Sequence, residues 1–179
     1  MITTKNSVLI VIDVQGNLAY RMHDKEALFK NIRSIIKACK TLSIPIIYTE
    51  QAPEKIGSTV PEIVEFLTDV PLIKKRSFSC CAEKDFPNAL KILKRSHVIV
   101  VGIETHVCLY QTVRDLLDKK YQVQVVADAV SSRTLENKEI ALKRMGSIGA
   151  VLTSTEMLAT ELLITSAHEK FKDVLNLIR

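Results

Sequence analysis

Tryptophan is absent from this 179-residue chain, and aromatic residues make up only 5% of it. Nucleic-acid-binding surfaces normally combine clustered basic side chains with stacking rings, whereas the basic pairs here are interspersed with acids. No apolar run is long enough to span a membrane. The run from Val8 to Ile12 is too short for the core of a signal peptide and ends in Asp13. We therefore expect neither a membrane nor a nucleic-acid partner, although the formal net charge is +5.

Glycine and proline are also scarce, at five residues each, and no linker, repeat or low-complexity tract interrupts the chain. With 47% hydrophobic residues, this length predicts one globular domain over residues 1–179. The four cysteines include the adjacent Cys80 and Cys81, a poor framework for disulfides, and no cysteine or histidine spacing indicates zinc. We expect a cytoplasmic protein with reduced thiols, no metal and no cofactor.

Strand-like and helix-like segments alternate along the chain. Short apolar runs predict six strands, at residues 8–12, 45–48, 71–73, 98–101, 121–127 and 150–152. Helical spacing predicts helices at residues 25–42, 61–67, 86–93, 105–118, 137–145 and 156–164, and in a C-terminal segment that ends at residue 178. This alternation is typical of an α/β fold with a parallel sheet and helices on both faces.

In such sheets, ligands bind outside the carboxyl ends of the strands. Asp13 follows the first predicted strand, Lys75 follows the third, and a segment that leads to Cys108 follows the fourth. An acid, a lysine and a cysteine therefore converge on one edge of the sheet. Each of them also has an ordinary structural explanation, as a turn residue, a solvated cation or a small core side chain.

These three side chains supply what a cysteine nucleophile needs. Thr105 is a plausible N-cap, so Cys108 falls in the first turn of a helix, where free N–H groups and the helix dipole favour a thiolate. Asp13 can accept the thiol proton and return it to a leaving group. Lys75 can stabilise the thiolate, and backbone N–H groups can stabilise an oxyanion.

Four segments give the chain a recognisable pattern. They are Val-Ile-Asp-Val-Gln at 11–15, Lys-Arg-Ser-Phe-Ser at 75–79, Gly-Ile-Glu-Thr-His-Val-Cys at 102–108 and Ala-Asp-Ala-Val-Ser-Ser-Arg at 127–133. Together they resemble the isochorismatase-like cysteine hydrolases, over nearly the whole chain. The resemblance implies a three-layer sandwich around a six-stranded parallel sheet of order 3-2-1-4-5-6. It also implies a catalytic triad of Asp13, Lys75 and Cys108.

The resemblance extends to the oxyanion site. It implies a cis peptide bond between Ile103 and Glu104, with the backbone amides of Glu104 and Cys108 directed at the oxyanion of the substrate. Gln15, Phe78 and Ile103 are the candidate residues of the substrate pocket.

Departures from the family narrow the expected substrate. Nicotinamidases of the family carry an Asp-x-His…His metal site after the second strand, but residues 48–53 contain no histidine. Isochorismatases act on an anionic substrate, for which Arg76 is the one candidate cation. The closest likeness is to small isochorismatase-domain hydrolases of poorly defined substrate, some of which are labelled ribonucleases.

The sequence therefore predicts a metal-independent cysteine hydrolase that cleaves a small amide or related C–N bond through a thioester intermediate. The alternatives are a binding or scaffold module that kept the fold, and an RNA-associated protein. His106, two residues before Cys108, is a candidate for contact with the substrate, but we expect it on the outer side of its helix or at a subunit contact. We also expect a homo-oligomer, in which the apolar segment 174–178 covers a neighbour or its own sheet. A lid over the pocket is expected from residues 52–59.

Overall fold

A six-stranded parallel sheet forms the centre of the computed structural model, which describes residues 1–178. The strand order is β3-β2-β1-β4-β5-β6, so the predicted α/β class and sheet order are confirmed. The strands are β1 Ser7–Ile12, β2 Ile46–Gln51, β3 Leu72–Lys75, β4 His97–Ile103, β5 Gln122–Ser131 and β6 Val151–Thr153.

Helices cover both faces of the sheet, as expected for parallel strands joined by crossovers. They are α1 Gly16–Ala19, α2 Lys25–Thr41, α3 Pro53–Ile56, α4 Pro61–Val64, α5 Asp85–Leu93, α6 Tyr110–Asp118, α7 Leu135–Ser147, α8 Thr155–Leu163 and α9 Phe171–Ile178. A 3₁₀ turn spans Cys80–Ala82, and a π-helical turn spans Thr105–Leu109.

The core has two halves, one on each side of the sheet. Successive side chains of a strand point to opposite faces, and every residue of β1 is buried. Leu9 and Val11 pack with the apolar sides of α2 and α8, whereas Val8 and Ile10 pack with those of α5 and α6. The uninterrupted apolar run of β1 is thus explained by burial on both faces.

Three local predictions were wrong. The fifth strand continues to Ser131, because β5 pairs again with β4 beyond an irregularity at Gly102. Asp128 and Ser131 therefore belong to the strand and not to a loop after it. Thr105 is not the N-cap of the next helix but its first residue, with Glu104 as the N-cap and no side-chain cap. The expected loop at 52–59 contains the short helix α3, which begins at Pro53.

The C-terminal helix α9 packs on its own chain. Val174 is fully buried, and the Ser34 hydroxyl of α2 donates a hydrogen bond to the Leu177 carbonyl at 2.5 Å. The apolar segment 174–178 therefore packs on helices α2 and α8 of its own chain, and contact with a neighbour stays a prediction. No helix within residues 1–178 is long and apolar enough to cross a membrane.

The close approach of β1 and β4 determines the shape of one sheet edge. Gly102 lies opposite Ile12 in the register of the two strands and has a φ of +120°. A Cβ atom there would collide with the Ile12 backbone, so only glycine fits. Immediately after β1, Asp13 adopts the left-handed conformation with a φ of 51°. The chain thereby turns both Asp13 and the segment after β4 toward the same edge.

Candidate active site

A cavity of about 100 Å³ lies at this edge of the sheet. Residues from the ends of β1, β2 and β4, from the segments that follow them and from the loop after β3 line it: Asp13, Gln15, Leu18, Gln51, Ile56, Phe78, Ile103, Glu104, Val107 and Cys108. All residues predicted for the pocket, the oxyanion site and the triad are in this set except Lys75. Lys75 lies beneath the cavity, bonded to the Asp13 carboxylate.

Asp13 and Lys75 form a buried ion pair. Lys75 Nζ lies 2.6 Å from Asp13 Oδ2, and the two side chains are only 1% and 5% exposed. The Thr49 hydroxyl donates to the other carboxylate oxygen, Asp13 Oδ1, at 2.7 Å. The Asp13 carboxylate is therefore held at both oxygens beside the cavity.

All N–H groups of the Lys75 ammonium are bonded to acceptors within the protein. Besides its contact with Asp13, it donates to Gln51 Oε1 at 2.8 Å. It also lies 3.2 Å and 3.1 Å from the carbonyl oxygens of Ser77 and Phe78. An ammonium has three protons, so these four acceptors occupy all of them.

The same environment determines the charge state of Lys75. Burial by itself lowers the pKa of a lysine, but several effects oppose it, of which the negative charge of Asp13 is the largest, and together they hold the pKa of Lys75 above its usual value. Lys75 is therefore a permanent cation at neutral pH, whose main partner is Asp13.

Cys108 lies in the π-helical turn that follows β4 and is 7% exposed. Burial, and then the negative charge of Asp13, raise the pKa of the Cys108 thiol, and the Lys75 ammonium offsets only part of this effect. Lys75 lowers the pKa of the thiol, as predicted, but burial and Asp13 outweigh it, so the expected resting thiolate is not favoured. The physical reason is that Lys75 is already neutralised by Asp13 and that the thiol is buried. Burial and the charge of Asp13 thus favour the protonated form of the Cys108 thiol at neutral pH.

The cavity wall opposite Asp13 is made by Ile103 and Glu104, whose peptide bond is cis. The Glu104 carboxylate accepts two hydrogen bonds from Arg133, from its backbone N–H at 3.2 Å and from Nε at 3.1 Å. The Glu104 carbonyl accepts the N–H of Leu109 at 3.3 Å, across the π-helical turn. These bonds fix the backbone between β4 and Cys108.

Gln15 ties the predicted lid to the sheet. Its side chain is fully buried. The amide oxygen Oε1 accepts a hydrogen bond from the Gln51 N–H at 2.6 Å. The amide nitrogen Nε2 donates to the Gly57 carbonyl at 2.6 Å and to the Gln51 carbonyl at 3.2 Å. The buried Glu50 carboxylate accepts both the N–H and the hydroxyl of Thr59. Residues 52–59 thus form a fixed wall, and Gln15 acts mainly as a backbone clamp.

Thr49 was not predicted as a contributor to the site, and Gln51, which follows the second predicted strand at the same edge, was given no role in it. A signal for them was available in the sheet order. Since β2 lies between β3 and β1, its carboxyl end lies beside both, and the observed register pairs Thr49 with Ile12 and Gln51 with Lys75. Aligning the strand ends would have placed both side chains next to the ion pair. Leu18, Ile56 and Val107, which complete the apolar lining, carry no comparable signal.

Two other candidates lie outside the cavity. Arg76 is largely exposed and pairs with Glu54 at 2.7 Å, so it is not available as a cation for a substrate in the cavity. His106 lies 2.9 Å from the Ser132 hydroxyl and does not line the cavity. Within residues 1–178, no group of three or more His, Cys, Asp or Glu side chains is arranged to hold a metal ion.

Comparison with known proteins identifies the family. The isochorismatase domain model matches residues 7–157. The secreted isochorismatase effector Isc1 of Phytophthora sojae is 38% identical over 178 residues, which cover 97% of this chain and 85% of that protein. The MAR1 ribonuclease from Caenorhabditis elegans is 42% identical, with a TM-score of 0.93 over 99% of this chain and 91% of that one.

A more distant structure shares the fold. The YcaC gene product from Escherichia coli, described as an octameric hydrolase of unknown specificity, is 23% identical, with a TM-score of 0.88 over 99% of this chain and 94% of that one. The matched domain model and the relatives above 30% identity cover most of the chain. The protein therefore belongs to the isochorismatase-like hydrolase family.

Proposed function

We propose that the protein is a metal-independent cysteine hydrolase that cleaves the C–N bond of a small amide. The observation that carries this proposal is the buried Asp13–Lys75 ion pair, with Lys75 Nζ 2.6 Å from Asp13 Oδ2, at a cavity shared with the Cys108 thiol. A buried charge pair is an expensive arrangement that contributes little net stability. Its position beside a thiol in a cavity is explained by a role in proton transfer.

In the proposed first step, Cys108 Sγ attacks the substrate carbonyl carbon while its proton passes to the Asp13 carboxylate. Because the resting thiol is protonated, proton transfer accompanies the attack and does not precede it. The C–S bond forms, and the carbonyl oxygen becomes an oxyanion that accepts hydrogen bonds from the backbone N–H groups of Glu104 and Cys108. Lys75 holds the Asp13 carboxylate in its orientation before the transfer.

The tetrahedral intermediate then collapses. Its C–N bond breaks, and Asp13 gives its proton to the leaving amine, which leaves a thioester on Cys108. A water molecule attacks the thioester carbonyl, and Asp13 accepts one of its protons. The C–S bond breaks, Cys108 recovers a proton from Asp13, and the products are a carboxylic acid and an amine or ammonia.

The test is the release of ammonia from a panel of small primary carboxamides. We expect turnover by the wild type, none by Cys108→Ala, and unchanged turnover by Cys81→Ser, which alters a half-buried thiol outside the cavity. Circular dichroism checks that both variants are folded. Retained turnover in folded Cys108→Ala would overturn the assignment of the nucleophile.

Two other functions make different predictions. A binding or scaffold module would turn over no amide, and Cys108→Ala would bind its partner as the wild type does. Ribonuclease activity, suggested by the name of the C. elegans relative, would require salt-sensitive retention of RNA. Ligand sites usually measure about 300–1,000 Å³. A cavity of about 100 Å³ is much too small for a nucleotide, which favours the amide hydrolase.

We further propose a homo-oligomer that works without a cofactor. Within residues 1–178, β6 is one of the two edge strands of the sheet, and exposed apolar residues in β6 and in the segments that flank it offer a surface to a second copy: Ile148, Val151, Leu152, Met157 and Ile164. A monomer in light scattering at micromolar concentration would contradict this.

The cytoplasmic location stays a prediction, which is supported by four free thiols. Because one relative is named as secreted, cell fractionation is the experiment that tests it.

A further inference from the structure

We propose that the cavity at Cys108 accepts a small, uncharged acyl group and excludes acids that carry a carboxylate, and that Phe78 limits the size of the acyl group. This inference rests on the proposed hydrolase function for its natural substrate. Its experiments measure modification of Cys108 and do not depend on amide turnover.

The charge preference follows from which ionic groups face the cavity. Two acidic residues, Asp13 and Glu104, line it, whereas Lys75 and Arg133, the cations paired with them, do not. All three protons of Lys75 are occupied by protein acceptors, and Arg133 is bound to Glu104 through both its backbone N–H and its Nε. An anionic substrate would therefore meet the two acidic residues and no cationic side chain in the cavity lining. Removing such an anion from water would be unfavourable, because no interaction in the cavity compensates for the lost hydration.

The size limit follows from the volume. A cavity of about 100 Å³ is well below the roughly 300–1,000 Å³ of ordinary ligand sites, so it takes only a small acyl group. Apolar side chains provide most of the wall: Leu18, Ile56, Phe78, Ile103 and Val107. The acyl group that fits is therefore short and aliphatic.

Phe78 is the member of this wall that can change without disturbing the fold. It is 54% exposed, in contrast to the fully buried Ile103. Its carbonyl oxygen, which accepts a hydrogen bond from Lys75, is unaffected by substitution of the side chain. Truncation at this position enlarges the cavity while leaving the ion pair in place.

The charge preference is tested with two alkylating reagents of nearly equal size, neutral iodoacetamide and anionic iodoacetate. Each forms a C–S bond at Cys108 with loss of iodide and of the thiol proton, so the ratio of their rates does not depend on the thiol pKa. Mapping by mass spectrometry separates Cys108 from the other cysteines. We compare the ratio of the iodoacetamide rate to the iodoacetate rate for Cys108 with the same ratio for glutathione. We expect the ratio for Cys108 to be larger by about tenfold or more. An unchanged ratio, or no labelling of Cys108 by either reagent, would overturn the proposal.

The size limit is tested with 4-nitrophenyl acetate and 4-nitrophenyl benzoate, which share a leaving group. Each transfers its acyl group to Sγ as the C–O bond breaks and nitrophenolate departs. We expect acetyl transfer to exceed benzoyl transfer by at least about tenfold beyond their ratio for glutathione. Phe78→Ala should reduce this preference several-fold. Ile92→Ala, a truncation of a 78% exposed side chain outside the cavity, should not change it.

The outcomes separate this inference from the proposed function. If the wild type shows both preferences but hydrolyses no amide, the assignment of the site's selectivity stands and amide hydrolysis fails. If amides are hydrolysed but a benzoyl group reacts as fast as an acetyl group, the hydrolase stands and the size limit is wrong. Equal preference in Phe78→Ala and the wild type would remove Phe78 as the limiting residue.

Discussion

Asp13→Asn is expected to make Cys108 more reactive toward iodoacetamide while abolishing hydrolysis. The substitution is nearly isosteric, and the amide oxygen can still accept the hydrogen bond from the Thr49 hydroxyl. It removes the negative charge that, after burial, does most to raise the pKa of the Cys108 thiol. The Lys75 ammonium, which lowers that pKa, loses its partner and acts on the thiol alone.

The magnitude follows from the loss of one charge near the thiol. A neighbouring charge shifts a pKa by about 1–3 units, and each unit corresponds to about 1.4 kcal/mol and a tenfold change in the thiolate fraction. At pH 8, below the raised pKa of the wild-type thiol, the alkylation rate should therefore rise by about tenfold or more. Hydrolysis should be lost in the same variant, because no group is left to carry the proton from the thiol to the leaving amine.

The assay measures the rate of Cys108 alkylation at pH 8 in the wild type, in Asp13→Asn and in a control. Asp69→Asn is suitable as the control because Asp69 forms an exposed ion pair with Lys40 outside the active-site cavity. The control should match the wild type. An alkylation rate in Asp13→Asn that is equal to or below that of the wild type would refute the electrostatic argument.

Other variants test the supports of the site. Lys75→Met should destabilise the fold by about 3–5 kcal/mol, because it leaves a buried carboxylate unpaired, and the double variant with Asp13→Asn should recover most of this in denaturant unfolding. The pKa of Lys75 is higher in the folded than in the unfolded protein, so the Lys75 charge stabilises the fold fully below the unfolded pKa of about 10.4. This stabilisation is lost as the pH rises through the higher folded pKa. The difference in stability between the wild type and Lys75→Met should therefore shrink in that pH range. Gln15→Ala removes three hydrogen bonds to the lid and to β2, and should destabilise the fold by about 1–3 kcal/mol and speed proteolysis near Gly57. Ile164→Gly should stabilise the fold by about 1 kcal/mol, because Ile164 is 74% exposed at a φ of 66°.

Each of these has an outcome that contradicts its premise. If the double variant were as unstable as Lys75→Met alone, the unpaired charge of Asp13 would not be the reason that Lys75→Met destabilises the fold. If the difference in stability between the wild type and Lys75→Met stayed the same at high pH, the charge of Lys75 would not be its cause. An unaltered rate of lid proteolysis in Gln15→Ala would show that Gln15 is not the clamp. Lower stability in Ile164→Gly would show that backbone strain is not dominant there.

The sheet and the convergence of the site could be predicted because both follow from regular features of the sequence. A strand buried on both faces is a continuous apolar run, as in β1 and β4, and side chains beyond parallel strands meet at one edge. Asp13 and Cys108 were found in this way. Gly102 marked the end of an apolar run, although its real constraint, the contact with the Ile12 backbone, depends on a neighbouring strand.

What could not be predicted depends on distances between elements. The charge state of Cys108 depends on how deeply the thiol is buried and on how completely Asp13 neutralises Lys75, and neither quantity is encoded in local spacing. The exclusion of Arg76 from the cavity depends on its pairing with Glu54 of helix α3, on a different segment of the chain. The extension of β5 to Ser131 depends on renewed pairing with β4, which overrides the turn-forming residues around Asp128.

The central claim is that Cys108 carries the acyl group during the reaction, and intact-protein mass spectrometry of an acid-quenched reaction tests it most directly. With a small carboxamide that the protein turns over, the account predicts a mass increase equal to the acyl group. Peptide mapping should place it on Cys108, and it should be absent in Cys108→Ala. The adduct should be cleaved by hydroxylamine, as a thioester is. Turnover without a Cys108 adduct at any quench time, together with turnover in Cys108→Ala, would contradict the account.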